Sequence, residues 1–423
     1  MPPLPTPSPL SAHWNLDKNI CFLNHGSFGA TPRHITGLQR TFHTQMEADP
    51  VRWFVETLEP LLDAARTRIA ALVNADPEDL AFIPNATTGV ATVLANLRLN
   101  PGDELLTSDH EYNACSNILR AAALRAGATI TTAKIPFPIT TPEAAERAIL
   151  AAVTPRTRLA LISHITSPTA LILPVARLVA ALRAQSVLTL IDGAHAPAFL
   201  PIDLRALNAD FYTGNLHKWL SAPKGAAFLH IRRDLQTNFN PLVISHGFNS
   251  PRTDRSRFRL QFDFTGTQDM SPYLCAAACP DHLSSLLETS SPAADPLTNF
   301  RAANNDLCRR ARTLIAAALG VDLPAPASML GAMATIPLPP HPRPLALRLA
   351  ARPTKYQDAL QDTLLTRHRI QVPIINLPAL TEGDPPRRFV RIACMLYNAP
   401  AQYEYLAGAL TTELASERDH SAA

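Results

Sequence analysis

The 423-residue sequence predicts an α/β protein: a large domain on a mostly parallel sheet with helices on both faces, then a smaller C-terminal α+β domain. Three observations predict it. Short strand-like runs alternate with longer helical patterns through about the first 280 residues. Those runs are apolar, as strands buried on both faces are, and do not show the polar alternation of a half-solvated sheet. A Ser/Pro-rich patch at 289–296 then interrupts the alternation and marks the expected domain boundary.

Taken in order, residues 80–83, 104–106, 159–162, 187–191 and 226–231 read as strands. Between them lie helical segments such as 60–72, where Pro60 would occupy the tolerated first position, and 142–152. A helical stretch at 272–287 closes the large domain, expected to span 20–288. Residues 299–319 read as a helix, and 333–336 and 389–393 as strands, within a small domain formed by 289–423 together with residues 1–19. The opening MPPLPTPSPL is a Pro-rich arm expected to be extended, and the polar tail after Leu414 is expected to fray.

Composition excludes several classes. The chain is 47% apolar and 17% charged, ordinary for a globular protein. A net charge of +3 points to neither nucleic acid nor an anionic membrane surface. The richest apolar stretch, 159–182, is broken by His164, Ser167, Pro168 and Pro174, so no membrane span is expected. The N-terminus lacks a basic start and an apolar core, so no secretory signal is expected either. Cys21, Cys115, Cys275, Cys279, Cys308 and Cys394 form no C-x-x-C pair and no metal-ligand cluster, which fits reduced thiols in the cytoplasm and no bound metal. Only five of the 38 basic residues are lysines.

Chemistry concentrates in a few places. The strand Val187-Leu-Thr-Leu-Ile-Asp192 ends in an acid followed by Gly193-Ala-His195. That carboxylate is either a turn residue or the anion that pairs with a protonated pyridine nitrogen, as in enzymes that use pyridoxal phosphate as an electron sink. Further on, Ala209-Asp-Phe-Tyr-Thr-Gly-Asn215-Leu-His217-Lys218-Trp219 runs from a strand into a polar turn. Lys218 thus follows an apolar strand among Asn215, His217 and Trp219, whereas Lys18, Lys134, Lys224 and Lys355 have no comparable setting. Partial burial pushes a lysine toward the neutral amine that can attack a carbonyl. Asn85-Ala-Thr87-Thr88-Gly89 follows a strand and opens a helix, so it can face a phosphate or act simply as an N-cap.

In their order, Asn-Ala-Thr-Thr, Asp-x-x-His, His-Lys, Gly-Thr and Arg-x-x-x-x-x-Tyr-Asn resemble the class V aminotransferase-fold pyridoxal-phosphate enzymes. The resemblance spans about Phe22 to Asn398. Phe22-Leu-Asn24-His25-Gly26-Ser27-Phe28-Gly29, Asp109-His-Glu-Tyr112-Asn113-Ala114 and Ser163-His-Ile-Thr-Ser-Pro168-Thr are similar to the isopenicillin N epimerase-like branch, which hercynylcysteine sulfoxide lyases and some cysteine desulfhydrases share. The resemblance implies a fold type I enzyme with a seven-stranded-type sheet, pyridoxal phosphate as cofactor and a homodimer with its active site at the subunit interface. It implies that Lys218 carries the cofactor covalently, Asp192 holds the ring nitrogen, and His195 faces the phenolic oxygen. Thr87, Thr88, Asn215 and His217 would ring the phosphate, with Thr267 reaching the phosphate of the neighbouring subunit. Tyr112 or Asn113 would cover the ring, and stacking favours Tyr112. Arg391 would clamp a substrate carboxylate, with Asn24 beside the substrate. Two departures stand out. Arg391-Ile-Ala393-Cys394 lacks the small hydroxyl residue that relatives place two positions after the arginine, and the segment Arg369-Ile370-Gln371 lacks the persulfide-forming cysteine of desulfurases.

Function is therefore expected in an amino-acid enzyme that begins by removing the Cα proton with Lys218. Reprotonation on the other face, with His25 or Tyr112 as donor, gives an epimerase. Loss of a β-substituent gives a C–S lyase, and reprotonation on the cofactor gives a transaminase. A nucleotide-binding enzyme is disfavoured because no G-x-G-x-x-G or Walker loop follows any strand. A non-catalytic relative is disfavoured by the presence of Lys218 and Asp192 together.

Overall fold

A computed structural model describes residues 3–287 and 295–419. Its strands, in chain order, are β1 (Cys21–Phe22), β2 (Leu80–Ile83), β3 (Glu104–Ser108), β4 (Thr129–Ala133), β5 (Thr157–Ser163), β6 (Leu188–Asp192), β7 (Phe211–Asn215), β8 (Ala227–Ile231), β9 (Met333–Pro337), β10 (Ile370–Gln371), β11 (Ile374–Leu377) and β12 (Arg387–Ala393). Seven of them form one sheet in the order β2-β8-β7-β6-β5-β3-β4. β8 runs antiparallel to both neighbours, and the remaining pairs are parallel.

The apolar runs have the reason expected of them. Along β5, Leu159 and Leu161 enter one hydrophobic core while Ala160 and Ile162 enter another on the opposite face. Both faces are thus covered, and every residue of β3, β7 and β8 is buried. The sheet positions the site through its order. From β3 the chain moves outward to β4, then returns to β5 on β3's other side. That reversal opens a crevice beyond the carboxyl ends of the strands, where ligands bind in such sheets. Ser163 and Asp192, which end β5 and β6, stand in register with Thr213 in the middle of β7.

A second core lies under the antiparallel sheet β11-β12-β9 and the helices Thr298–Leu319 and Pro400–Asp419. The N-terminal arm joins this side: β1 pairs with β10, and the Ser8 amide donates to the Tyr397 carbonyl. Within the arm, Ser8 caps a short 3-10 turn at Pro9–His13, so it is not extended throughout. The expected domain boundary falls at 289–294, outside the described residues.

Two expectations on helices need correction. The helix expected from Pro60 begins at Leu58 and continues directly from a π-helical turn, Trp53–Thr57. Pro60 therefore sits in its first turn but not at its first position, just after a π-helical turn in which the Leu58 amide donates to the Trp53 carbonyl. The stretch expected at 272–287 is two short helices, Ser271–Ala276 and Cys279–Ser285. No helix among the described residues is long and apolar enough to cross a membrane.

Candidate active site

A cavity of about 310 Å³ lies beyond the carboxyl ends of β5, β6 and β7. Its walls include Ser27, Thr87, Tyr112, Ser167, Asp192, His195, Asn215, His217 and Lys218.

Lys218 sits in the loop after β7, half-buried in the cavity wall, with its Nζ 3.1 Å from His195 Nε2. Burial, and secondarily the Arg391 guanidinium, lower its amine from 10.5 to about 8, although Asp192 pulls the other way. His195 Nδ1 in turn receives the Trp219 indole N–H at 3.2 Å. Burial first, and then the Lys218 and Arg391 charges, hold His195 neutral. His217 Nδ1 donates to the Ala226 carbonyl at 3.0 Å, and burial lowers its ring to about 4.

At the end of β6, Asp192 accepts the Ala194 amide at 2.9 Å and the Cys115 thiol at 3.3 Å. Glu111 lies beside it, and ligand atoms of Glu111, Cys115 and Asp192 fall within 4.8 Å of one another. Burial, reinforced by the Asp192 charge, raises the Glu111 carboxyl well above its ordinary range. Asp192 keeps the negative charge of the pair, because it holds two donors and faces Lys218. Glu111 uses Oε1 on Ser163 and the Tyr112 amide, while its buried Oε2 has no protein partner. The neutral form suits Glu111 better.

The phosphate-side residues gather at the N-terminus of the helix Ala86–Asn96. Asn215 Oδ1 accepts the Ala86 amide at 2.8 Å, and Asn85 Oδ1 accepts the Thr88 amide at 2.9 Å. Thr87, between them, lines the cavity; Thr88 instead gives its hydroxyl to Asn85 at 3.1 Å and is absent from the wall. Gly89 permits the close approach of this helix, since a Cβ there would stand 2.4 Å from Thr213 Oγ1.

Arg391, in mid β12 and 5% exposed, lies behind the wall. Its NH1 donates to the Ser167 carbonyl at 2.6 Å and hydroxyl at 3.2 Å, and its NH2 to Ser27 Oγ at 3.1 Å. These serines orient it where relatives would use a hydroxyl two positions along. It makes no carboxylate ion pair among the described residues, and burial lowers it to about 10. Asn24 takes part at one remove, accepting the Ser27 hydroxyl at 2.7 Å, and is not in the wall.

Other expected residues are placed differently. His25 touches the Lys218 carbonyl through Nε2 at 3.0 Å, and its Nδ1 meets the Tyr397 hydroxyl at 2.9 Å. Both ring nitrogens are engaged within the protein, and the ring is fully buried and outside the cavity walls. Of the two ring-covering candidates Tyr112 lines the cavity, 46% exposed, while Asn113 points away from it into solvent. Thr267 is exposed on the turn after Gly266, outside this cavity. Sequence reasoning also set Lys224 aside, yet it lines the cavity rim, 3.4 Å from Thr31 Oγ1. Glu111, Cys115, Ser27 and Tyr397 were missed as well. All but Cys115 lie within the motifs quoted for the family resemblance, which was the signal available.

Comparison with known proteins agrees with this geometry. The profile of the family "Aminotransferase class-V" matches residues 30–270. An isopenicillin N epimerase of Amycolatopsis lactamdurans is 33% identical over 410 residues, covering 94% of this chain and 96% of the epimerase. A putative L-cysteine desulfhydrase of Oryza sativa subsp. japonica is 28% identical over 417 residues, covering 93% of this chain and 83% of that protein. Among solved structures, the cystine C–S lyase C-DES in complex with cysteine persulfide superposes with a TM-score of 0.71 at 23% identity, covering 93% of this chain and 97% of the lyase.

Proposed function

The chain belongs to the class-V aminotransferase family and is a pyridoxal-phosphate-dependent enzyme; from that premise we propose that it removes the Cα proton of an amino-acid substrate with Lys218 and epimerises that centre. When bound, the cofactor supplies an electrophilic carbonyl for amino groups and a ring that accepts the electron pair left on Cα.

The residues present fit that group. Lys218 offers a buried amine held toward its free base, and Asp192 offers a carboxylate on the same wall. Thr87, Asn215 and His217 gather at a helix N-terminus suited to a phosphate. In our reading Lys218 Nζ takes the Cα proton, and Asp192 holds the compensating negative charge. Arg391 fixes the α-carboxylate, with Ser27 and Ser167 keeping its fork in plane. Tyr112, on the rim, donates the proton on the opposite face. Thr267 serves the phosphate site of a partner subunit in a homodimer, and six free cysteines suit a reducing cytoplasm.

One observation carries the reading: Lys218 and Asp192 share a cavity wall, and directly behind that wall, on Ser27 and Ser167, stands an arginine with no carboxylate partner among the described residues. Epimerisation is preferred because the 33% identity to isopenicillin N epimerase runs almost end to end. A second reading, β-elimination by a C–S lyase, is favoured by His25, whose engagement leaves Tyr112 as the remaining proposed second acid while elimination needs Lys218 alone. Incubating purified enzyme with amino acids and cysteine conjugates in deuterated water tests both. Label at Cα in the inverted enantiomer supports epimerisation, and pyruvate with released thiol or sulfide supports elimination. Absence of Cα exchange with every substrate would overturn both readings.

A further inference from the structure

We propose that Trp219 is a positioning residue which, by donating its indole N–H to His195, locks the imidazole into the tautomer that keeps Lys218 a free amine. The inference rests on the reading of Lys218 as the reactive amine.

The argument is a donor–acceptor count. An indole N–H can only donate, so His195 Nδ1, 3.2 Å away, must present a lone pair. A neutral imidazole then carries its proton on Nε2. That nitrogen faces Lys218 Nζ at 3.1 Å, so the lysine has to accept. An ammonium has no lone pair to accept with. The neutral amine therefore satisfies this three-residue chain, while the ammonium breaks it. Were Nδ1 to carry the proton instead, Nε2 would become an acceptor and favour the ammonium.

Trp219 is well fixed for this task. It is fully buried, with Phe199 packed edge-on at a centroid distance of 4.8 Å and His25 at 5.1 Å. His25 is pinned in turn by Tyr397 and the Lys218 carbonyl, so the indole cannot swing away from Nδ1. The other groups that act on Lys218 are Arg391 from β12, Asp192 from β6, Cys115 from the helix Asn113–Ala126, and the adjacent His217. None of them contacts Nδ1 of His195, so the indole sets the tautomer independently of them.

The test uses the full chain freed of cofactor, so that it does not depend on turnover. The acylation rate of Lys218 is followed against pH by peptide mass spectrometry, and the His195 tautomer is read from its ¹⁵N shifts. Trp219→Phe keeps the aromatic packing and removes the N–H. It should lower the Lys218 free-amine fraction at neutral pH by about fivefold, in line with one hydrogen bond of roughly 1 kcal/mol, and shift His195 toward the Nδ1–H form. Phe199→Leu loosens the same ring but keeps the N–H and should change neither readout. Equal pH profiles for Trp219→Phe and wild type, or an equal shift in Phe199→Leu, would overturn the lock. So would a protonated Nδ1 in the wild-type spectrum, which decides the matter even if the Phe variant does not fold. Failure of the underlying reading looks different: Lys218→Ala would still bind cofactor covalently at another lysine.

Discussion

Replacing Arg391 with methionine should make the protein no less stable while removing its grip on carboxylate. The guanidinium is buried and lowered from 12.5 to about 10 by loss of hydration, which costs the folded state about 3 kcal/mol. The sign follows from linkage. A base whose folded value lies below its unfolded one destabilises the fold in full at every pH under about 10, and the penalty declines above that, vanishing only past the ordinary guanidinium range. Methionine removes the cost but also the hydrogen bonds to Ser167 and Ser27, which take back about 1–2 kcal/mol. The net effect is about 1–2 kcal/mol of stabilisation. For a chain of 423 residues, an unfolding entropy of about 2 cal/mol/K per residue makes that a rise in Tm of roughly 1–2 °C.

Ligand dependence should invert the order. A short aliphatic carboxylate at about 100 times its Kd stabilises a binding protein by about 2.7 kcal/mol, or roughly 3 °C in a chain this long. Wild type should show that rise in thermal scans and Arg391→Met should not. In kinetics kcat/KM should fall by about 10²-fold or more, the cost of leaving a carboxylate without its buried partner. A drop in Tm of several degrees would show that Arg391 holds the two sheets together and is not a vacant binding group. An unchanged carboxylate response would move the anion site elsewhere.

Three further outcomes are expected. Asp192→Asn should still bind the cofactor but lose about 10²–10³-fold in kcat, because a neutral amide cannot hold a facing positive charge; turnover within tenfold of wild type would reduce Asp192 to a turn residue. Tyr112→Phe should retain Cα deuterium exchange into the starting enantiomer while inversion drops by about tenfold or more, and undiminished inversion by chiral chromatography would remove Tyr112 as the opposite-face donor. Glu111 is an acid whose folded value is raised, by burial first and the Asp192 charge second. Its contribution is full below the ordinary carboxyl range and is lost as pH rises through the folded value. Glu111→Gln should therefore match wild type near pH 5 and exceed it in denaturant midpoint near pH 9; parallel stability curves would show that Glu111 ionises normally.

What could be read from the sequence follows how locally each feature is determined. β5 and β6 were legible because burial on both faces leaves an apolar run that no loop would carry. β4, at the sheet edge, is Thr-Ile-Thr-Thr-Ala with mostly solvated side chains, and it passed unseen as a strand. β1 and β10 are two residues each, pair only with one another and leave no periodicity to detect. In the site, Asp192 and Lys218 could be singled out because each lies at or just after a strand's end. The hydroxyls that orient Arg391 come from Ser167 and Ser27, 224 and 364 positions away, so only the fold reveals them. His25 shows the converse. Its motif was informative, but its role depended on Tyr397, 372 positions distant, and that contact takes it out of the chemistry.

The cavity's electrostatics follow one rule with two exceptions. Burial drives each titratable side chain toward its neutral form: Lys218 downward, Glu111 upward, and His195 and His217 well below neutrality. Arg391 keeps its proton even at about 10, and Asp192, although burial raises it as well, is drawn back toward its charged form by the Ala194 amide, the Cys115 thiol and the Lys218 charge. A site of mostly neutral groups with one fixed cation and one fixed anion is polarised along a single direction. A substrate entering carboxylate-first toward Arg391 would thereby be oriented with its Cα toward Lys218, whose amine burial lowers to about 8. Proton removal at Cα is thus set by the fold. In the proposed mechanism the later fate of the electron pair rests on Tyr112, which lines the cavity while both ring nitrogens of His25 are held by Tyr397 and the Lys218 carbonyl.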